Sequence, residues 1–327
     1  MSLHSVAAPA RPERAWRPSP FDLRDDRAYR QWREGKLARY PKSLDEIKVS
    51  VARLGAPTAS ERRAIRALCR RCNMALYAAG PPGDESRIRR DLVAFGAAFG
   101  LVAVEDHRSA ERDGIVRIEV ADEGGRFGYI PYTDRAINWH TDGYYNFHGP
   151  ARCVKAMALH CVRDAERGGE NRLLDHEIAY IRLRDADPAY VEALARPDAM
   201  TIPESVEANG RVRPLNVGPV FYIDPGSGRL GMRFTARKRN ILWRDDSVTR
   251  AAVARLEETL ESDPLVLRAR LAPGEGLLCN NVLHDRSAFS PDGSSRKRLL
   301  YRIRYLEPVA ERDDQHLAHG GRDGARQ

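Results

Sequence analysis

Residues 266–284 read VLRARLAPGEGLLCNNVLH, two apolar runs joined by the turn APGEG at 272–276. Pro and Gly punctuate the turn, while the Val, Leu and Cys residues on either side suit a pleated, buried surface. On this reading LLCNNVLH (277–284) is one strand and His284 ends it. The same texture continues both ways. Downstream, the loop SPDGSS (290–295) leads into KRLLYRIRYLE (297–307). Upstream lie IVRIEV (115–120), CVKAMALHCV (153–162), and a hairpin made of VFYI (220–223), the turn DPGSG and RLGMRF (229–234). In CVKAMALHCV a period of two sets Met157, Leu159 and Cys161 on one face. A single amphipathic helix, about Ser247–Glu261, interrupts the series. Strands that follow one another without βαβ crossovers predict an antiparallel sandwich or jelly roll.

Before Gly114 the pattern is helical. Ser60 is placed to cap ERRAIRALCRRCNMALYA, in which Ile65, Leu68, Cys69, Cys72 and Leu76 recur at helical spacing. Ser86 is placed to start a second helix, RIRRDLVAFGAAF. Cys69 and Cys72 form a C-x-x-C, but no second cysteine pair completes a tetrahedral zinc site and no βαβ unit surrounds them. They read as two small apolar residues on a buried helix face. Residues 1–20, rich in Pro and Arg, are expected to be a disordered lead-in. Residues 21–310 are expected to form one domain with a helical N-terminal part, and 311–327 a disordered tail.

Composition narrows the function classes. A chain of 327 residues can bury a large core without disulfide staples. With a mean hydropathy of -0.54 and no apolar run near eighteen residues, no membrane span is expected. The N-terminus lacks the apolar core of a secretory signal. Five scattered cysteines do not make a disulfide framework, so a reducing cytoplasm is the expected location. The net charge of +8 raises the question of nucleic acid. Only Lys36, Lys42, Lys48, Lys155, Lys238 and Lys297 are lysines, and the arginines mostly stand beside acids, as in RDDR, ERDG and RLRDAD. Only RKRN (237–240) and SRKR (295–298) are dense. Cations dispersed in this way describe a solvated surface, not a phosphate footprint. No G-x-G-x-x-G, P-loop or internal repeat is present.

The densest cluster of reactive types is RAINWHTDGYYN, residues 135–146. On a strand, His140 and Asp142 point to the same face and can reach one metal ion. A facial site of this kind needs a further imidazole from a distant strand. His160 lies mid-strand among apolar residues, as a satisfied core histidine does. His107 and His148 fall in loops, His176 opens a helix and bonds locally, and His316 and His319 lie in the tail. His284, closing an apolar strand beside Asn and Arg, is the best third ligand. Fourteen residues on, Arg298 can fork onto a carboxylate. Arg298, Arg302 and Arg304 share one side of their strand, as either a solvated face or the lining of a site.

The ordered set His140-x-Asp142, His284 and Arg298 resembles the Fe(II)/2-oxoglutarate-dependent oxygenases. Within them it looks like the taurine dioxygenase (TauD/TfdA) family, through WHTDGYYN, GGENRLLD, NNVLHDRSAF and RKRLLYRIRY. The likeness spans roughly residues 112–307. It implies an α+β fold with a double-stranded β-helix (jelly-roll) core and flanking N-terminal helices. It further implies Fe(II) and 2-oxoglutarate as cofactor and co-substrate, with His140, Asp142 and His284 as the catalytic iron ligands. Arg298 matches the residue that holds the distal carboxylate of 2-oxoglutarate. Arg302 matches a second Arg that meets either substrate or co-substrate, and a substrate acid is the preferred partner. Asn171 stands in GGEN where the family usually has a Thr that helps bind 2-oxoglutarate. Asn138, Trp139, Tyr144 and Tyr145 are candidate substrate-pocket walls. The implied activity oxidises, most simply hydroxylates, a small organic substrate with dioxygen while 2-oxoglutarate becomes succinate and CO2. Asp142 argues against halogenation, which needs a small residue there. No nucleic-acid or membrane partner is expected, and homo-oligomerisation is left open. The alternative is a jelly-roll binding protein without chemistry, which would release no succinate.

Overall fold

The computed structural model describes residues 19–309 except 81–82, 107–108, 123–127, 207–211 and 291–296. The expected tail at 311–327, His107, His316, His319 and all but the last two residues of the lead-in lie outside the described residues.

Helix α1 (Asp26–Arg39) comes first, its Asp25 cap accepting from the Ala28 amide. Its buried side includes Tyr29 and Lys36, so charge disguises its apolar stripe and the sequence reading passed it over. After β1 (Lys48–Ser50) comes α2 (Ala59–Cys72). Thr58, not Ser60, caps it, through a reciprocal pairing with Glu61. The helix also ends earlier than its spacing predicts. Asn73 takes the left-handed conformation (φ 58), and the following residues form β2 (Met74–Ala78). Leu76 fits both periods; the choice is made by β2's neighbours, which claim its backbone on both sides. Asp84, rather than Ser86, caps α3 (Glu85–Ala97).

Then follow β3 (Val116–Ile118), β4 (Ile137–His140), β5 (Ala156–Arg163) and β6 (Asn171–Leu174). Next come α4 (His176–Ala186) and α5 (Pro188–Leu194), and the short strands β7 (Met200–Ile202), β8 (Ser205–Val206), β9 (Val212–Arg213) and β10 (Asn216–Gly218). The chain continues through β11 (Phe221–Ile223), β12 (Leu230–Met232), β13 (Leu242–Trp243) and α6 (Ser247–Ser262) to β14 (Leu267–Ala269), β15 (Glu275–Cys279), β16 (Leu283–Arg286) and β17 (Leu299–Tyr305). The expected β11–β12 hairpin is present. So α6 is not the single interruption: α4 and α5 pack with it. Helix α4 is buried nearly all round, which removes the amphipathic period that would reveal it.

Two sheets carry the core. The larger has the order β1-β2-β15-β5-β17-β3 and the smaller β14-β6-β16-β4. All these pairs are antiparallel except β1–β2. Met157, Leu159 and Cys161 share one cluster with Leu173, Leu174 and Leu283 of the smaller sheet. Ala156, Ala158 and Val162 join Ile65, Cys69, Ile88 and Leu92 of α2 and α3 in another. Alternate residues of β5 therefore fill two separate cores, one between the sheets and one beneath the helices. This is the α+β jelly-roll arrangement the resemblance implied.

LLCNNVLH is two strands, not one. The chain turns at Asn281 (φ 51) and passes from the larger sheet to the smaller. His284 consequently lies near the start of β16. Cys69 and Cys72 are buried in α2, as expected. Among the described residues, no helix is long and apolar enough to cross a membrane.

Candidate metal centre

Strands β4 and β16 are neighbours, and their register sets His284 directly opposite His140. Side chains opposite one another in an antiparallel pair share a face, and these imidazole centroids lie 4.2 Å apart. Each ring is fixed by its own backbone: His140 Nδ1 lies 2.9 Å from Asn138 O, and His284 Nδ1 2.9 Å from Val282 O. A carbonyl only accepts, so each Nδ1 carries the proton and each Nε2 keeps its lone pair.

Asp142 lies just beyond β4, in a turn rather than on the strand that its spacing suggested. Asn281 holds it there. Its Oδ1 accepts from the Asp142 amide at 2.7 Å and its Nδ2 donates to the Asp142 carbonyl at 3.0 Å. Gly143 follows with φ 71, and a Cβ at that position would come within 2.5 Å of Val154. His140, Asp142 and His284 offer ligand atoms that all lie within 4.8 Å of one another.

The carboxylate is half satisfied. Oδ1 accepts from Arg302 Nη1 at 2.9 Å and Arg304 Nη1 at 3.4 Å, whereas Oδ2 is buried with no hydrogen-bond partner among the described residues. Burial pushes the carboxyl up, but the Arg302 and Arg304 guanidiniums outweigh it and hold the group below its usual range. Burial pushes the His140 imidazole down to about 3. Two neutral imidazoles and an ionised carboxylate with an unpaired oxygen fit a divalent cation that takes a two-histidine, one-carboxylate facial set.

A separate small pocket is lined in part by Arg298, Asn171, Gly168, Gly169, Leu271 and Leu300. Arg298 is only 7% exposed, with its guanidinium 4.9 Å from the Phe289 ring centroid. No hydrogen bond or ion pair joins it to any described carboxylate, and burial pushes it down to about 10. The neighbouring buried Arg286 differs, because it donates to the Thr133 carbonyl at 2.7 Å. Asn171 commits one amide hydrogen to the Asp285 carbonyl at 2.6 Å, leaving the second for a ligand. The double glycine is required by the backbone: at Gly168 (φ 77) a Cβ would come within 2.3 Å of the Ala288 carbonyl.

The other expected site residues divide. Tyr144 stands edge-on to His140 at 6.4 Å, and Tyr145 packs against Tyr144 and accepts from Arg304 at 3.2 Å. Asn138 donates to the Ala236 carbonyl at 3.3 Å. Trp139 does not join them. Strand alternation turns it into the core, where its Nε1 donates to Glu261 at 3.1 Å and Arg172 lies over its ring. Arg298, Arg302 and Arg304 are all buried, so their stripe lines the interior. The acid facing Arg302 is the chain's own Asp142.

His160 is the core histidine expected, with Nδ1 3.2 Å from the Tyr77 hydroxyl. His148 pairs with Asn146 in its loop. His176 opens α4, but its Nε2 reaches the Leu230 carbonyl, far along the chain rather than local. Three residues at the centre escaped the sequence reading: Asn281, Arg304 as a partner of Asp142, and Glu105, which ion-pairs with Arg304. The doubled Asn in LLCNNVLH was the one available signal. Glu105 sits in a loop with no pattern to betray it.

Comparison with known proteins agrees with this geometry. The family model described as taurine catabolism dioxygenase TauD, TfdA family matches residues 83–304. The chain is similar to a uridine-5'-phosphate dioxygenase from Amycolatopsis sp, at 32% identity over 52% of this chain and 60% of that protein. It is also similar to a protein of the same name from Streptomyces sp, at 29% identity over 59% of this chain and 69% of that one. The first match thus spans less than two thirds of that relative. Among solved structures, asparagine oxygenase in complex with Fe(II), 3-hydroxyasparagine and succinate shares the fold, with a TM-score of 0.57 at 17% identity over 77% of this chain and 81% of that one.

Proposed function

The chain belongs to the TauD, TfdA family, and from that membership we propose that it is an Fe(II)- and 2-oxoglutarate-dependent dioxygenase that hydroxylates a small organic substrate. The observation that carries this reading is that His140, Asp142 and His284 bring ligand atoms within 4.8 Å of one another, while Asp142 Oδ2 is buried with no hydrogen-bond partner among the described residues. His140, Asp142 and His284 would hold the metal, which when bound supplies the redox centre for dioxygen chemistry. The chain's own residues supply position and charge. Arg302 and Arg304 hold Oδ1, which leaves Oδ2 as the ligand oxygen. Arg298, buried without a carboxylate, receives the distal carboxylate of 2-oxoglutarate, and the free Asn171 amide hydrogen adds a second contact. Tyr144 and Tyr145 wall the substrate side and exclude water.

In the overall reaction one oxygen atom enters the substrate C–H bond. The other enters succinate as 2-oxoglutarate loses CO2. The names of the curated relatives favour a nucleoside monophosphate as substrate. The test is succinate release on adding Fe(II), 2-oxoglutarate and ascorbate, scored across a substrate library with uncoupled turnover subtracted. Folded protein that releases no succinate would be a binding protein, and the proposal would fail.

A further inference from the structure

The basic run Arg237-Lys238-Arg239 stood out in the sequence, and the metal centre does not use it. The fold places it at that centre. Thr235 bridges to His140, the Ala236 amide donates to the Trp139 carbonyl at 2.8 Å, and Asn138 donates back to the Ala236 carbonyl. Arg237 therefore leaves the sheet two residues after the backbone opposite a metal-ligating imidazole, about 7 Å along an extended chain. Its Nη1 donates to the Tyr144 hydroxyl at 2.9 Å, and Tyr144 is the ring standing edge-on to His140.

The three cations are exposed and have no acidic partner among the described residues, in a chain whose arginines are widely ion-paired. Arg237 is held by a neutral phenol, a contact that fixes the guanidinium without neutralising it. The other arginines around the centre are committed elsewhere. Arg302 and Arg304 face Asp142, and Arg298 lines the separate cavity.

We propose that Arg237, steadied by Tyr144 and supported by Lys238 and Arg239, is the anchor for a phosphate monoester carried by the substrate. The substrate-anchoring role expected of Arg302 thus passes to Arg237. Three clustered cations suit a phosphate monoester, which carries up to two charges, better than a single carboxylate, and the planar fork of Arg237 presents paired donors to two of its oxygens. This inference rests on the proposed dioxygenase reading for its substrate, and its test reads binding rather than turnover.

The test is calorimetric binding of uridine monophosphate and of uridine to the full chain loaded with Fe(II) and 2-oxoglutarate in the absence of dioxygen. One charge-assisted contact predicts that the phosphate tightens binding about tenfold or more. Arg237→Ala should erase most of that ratio, and Arg237→Lys should recover part of it. Thermal melting of each variant reports that it is folded. A wild-type ratio near one, or an unchanged ratio in folded Arg237→Ala, would overturn the proposal. Succinate release by the wild-type protein judges the dioxygenase reading separately, so either can fail without the other. A gain from a carboxylated nucleoside equal to that from the phosphate would also overturn the assignment to phosphate.

Discussion

At the scale of single residues, the metal centre works by leaving particular atoms unsatisfied. His140 and His284 each spend Nδ1 on a backbone carbonyl, and Asp142 spends Oδ1 on two guanidiniums. What remains is one uncommitted ligand atom on each side chain, Nε2 of each histidine and Oδ2 of Asp142. His284→Ala should therefore lose stoichiometric Fe(II) and with it 2-oxoglutarate turnover; iron retained at one equivalent would remove His284 from the ligand set. Arg298 makes the matching case for a carboxylate. Unlike Arg286, which backbone carbonyls satisfy, Arg298 is buried with no acid or carbonyl partner among the described residues, which leaves it to a ligand. Losing one partner of a buried pair costs about 3–5 kcal/mol. Arg298→Ala should raise the 2-oxoglutarate requirement a hundredfold or more, and Arg298→Lys should restore only part, because an ammonium lacks the planar fork. Titrating co-substrate against succinate yield measures both. His140, Asp142, His284 and Arg298 were legible because their spacing is local or their residue types are rare in strands. Arg304, Glu105 and Asn281 were not, because what matters about them is a partner that sequence does not name.

Among elements, the differences from expectation have one cause. Leu76 continues the helical period of α2, yet β1 and β15 take up the backbone around it as a central strand, and Asn73 ends the helix without strain. LLCNNVLH reads as continuous apolar chain, but its two halves pair in different sheets around Asn281. Propensity is a weak prior, and here the neighbours decide. The pair Cys69 and Cys72 belongs at this scale too. Both thiols are buried on the sheet-facing side of α2, and burial pushes Cys72 up to about 11. Among the described residues, neither belongs to a group of side chains placed to hold a metal ion. A Cys69→Ser, Cys72→Ser double variant should lose about 1–3 kcal/mol from burying two hydroxyls in an apolar site. Its iron content and turnover should stay at wild-type levels. A lower denaturant midpoint with full metal content is the expected result; loss of a bound zinc would contradict it.

For the molecule as a whole, burying histidines makes stability depend on pH. Burial pushes His140 down to about 3 and His160 to about 4, whereas an unfolded imidazole titrates near 6.5. As pH falls below about 6.5 the unfolded chain takes up protons that the folded chain refuses. The stability held above that pH is thus lost progressively down to about pH 4 for His160 and pH 3 for His140. The metal-free protein should melt at lower temperature as pH drops from 7 to 4, with uptake of about two protons per molecule on unfolding at pH 5. A melting temperature that is flat over that interval would show that the two rings are not held neutral.

The chain by itself determined that strands dominate after Gly114 and that Met157, Leu159 and Cys161 share one face of β5, and it brought His140, Asp142, His284 and Arg298 forward as candidates for one site. Those features are written in periods of two and in residue types that few other purposes require. Only the tertiary structure decided that His284 stands opposite His140, that Arg302 faces Asp142 rather than solvent, and that Trp139 turns away from the site. It also decided that an exposed basic run far along the chain lies beside the metal centre. Register, ion pairing and burial are relations between distant residues. They come into being when the sheets pair, and no local pattern in the sequence encodes them.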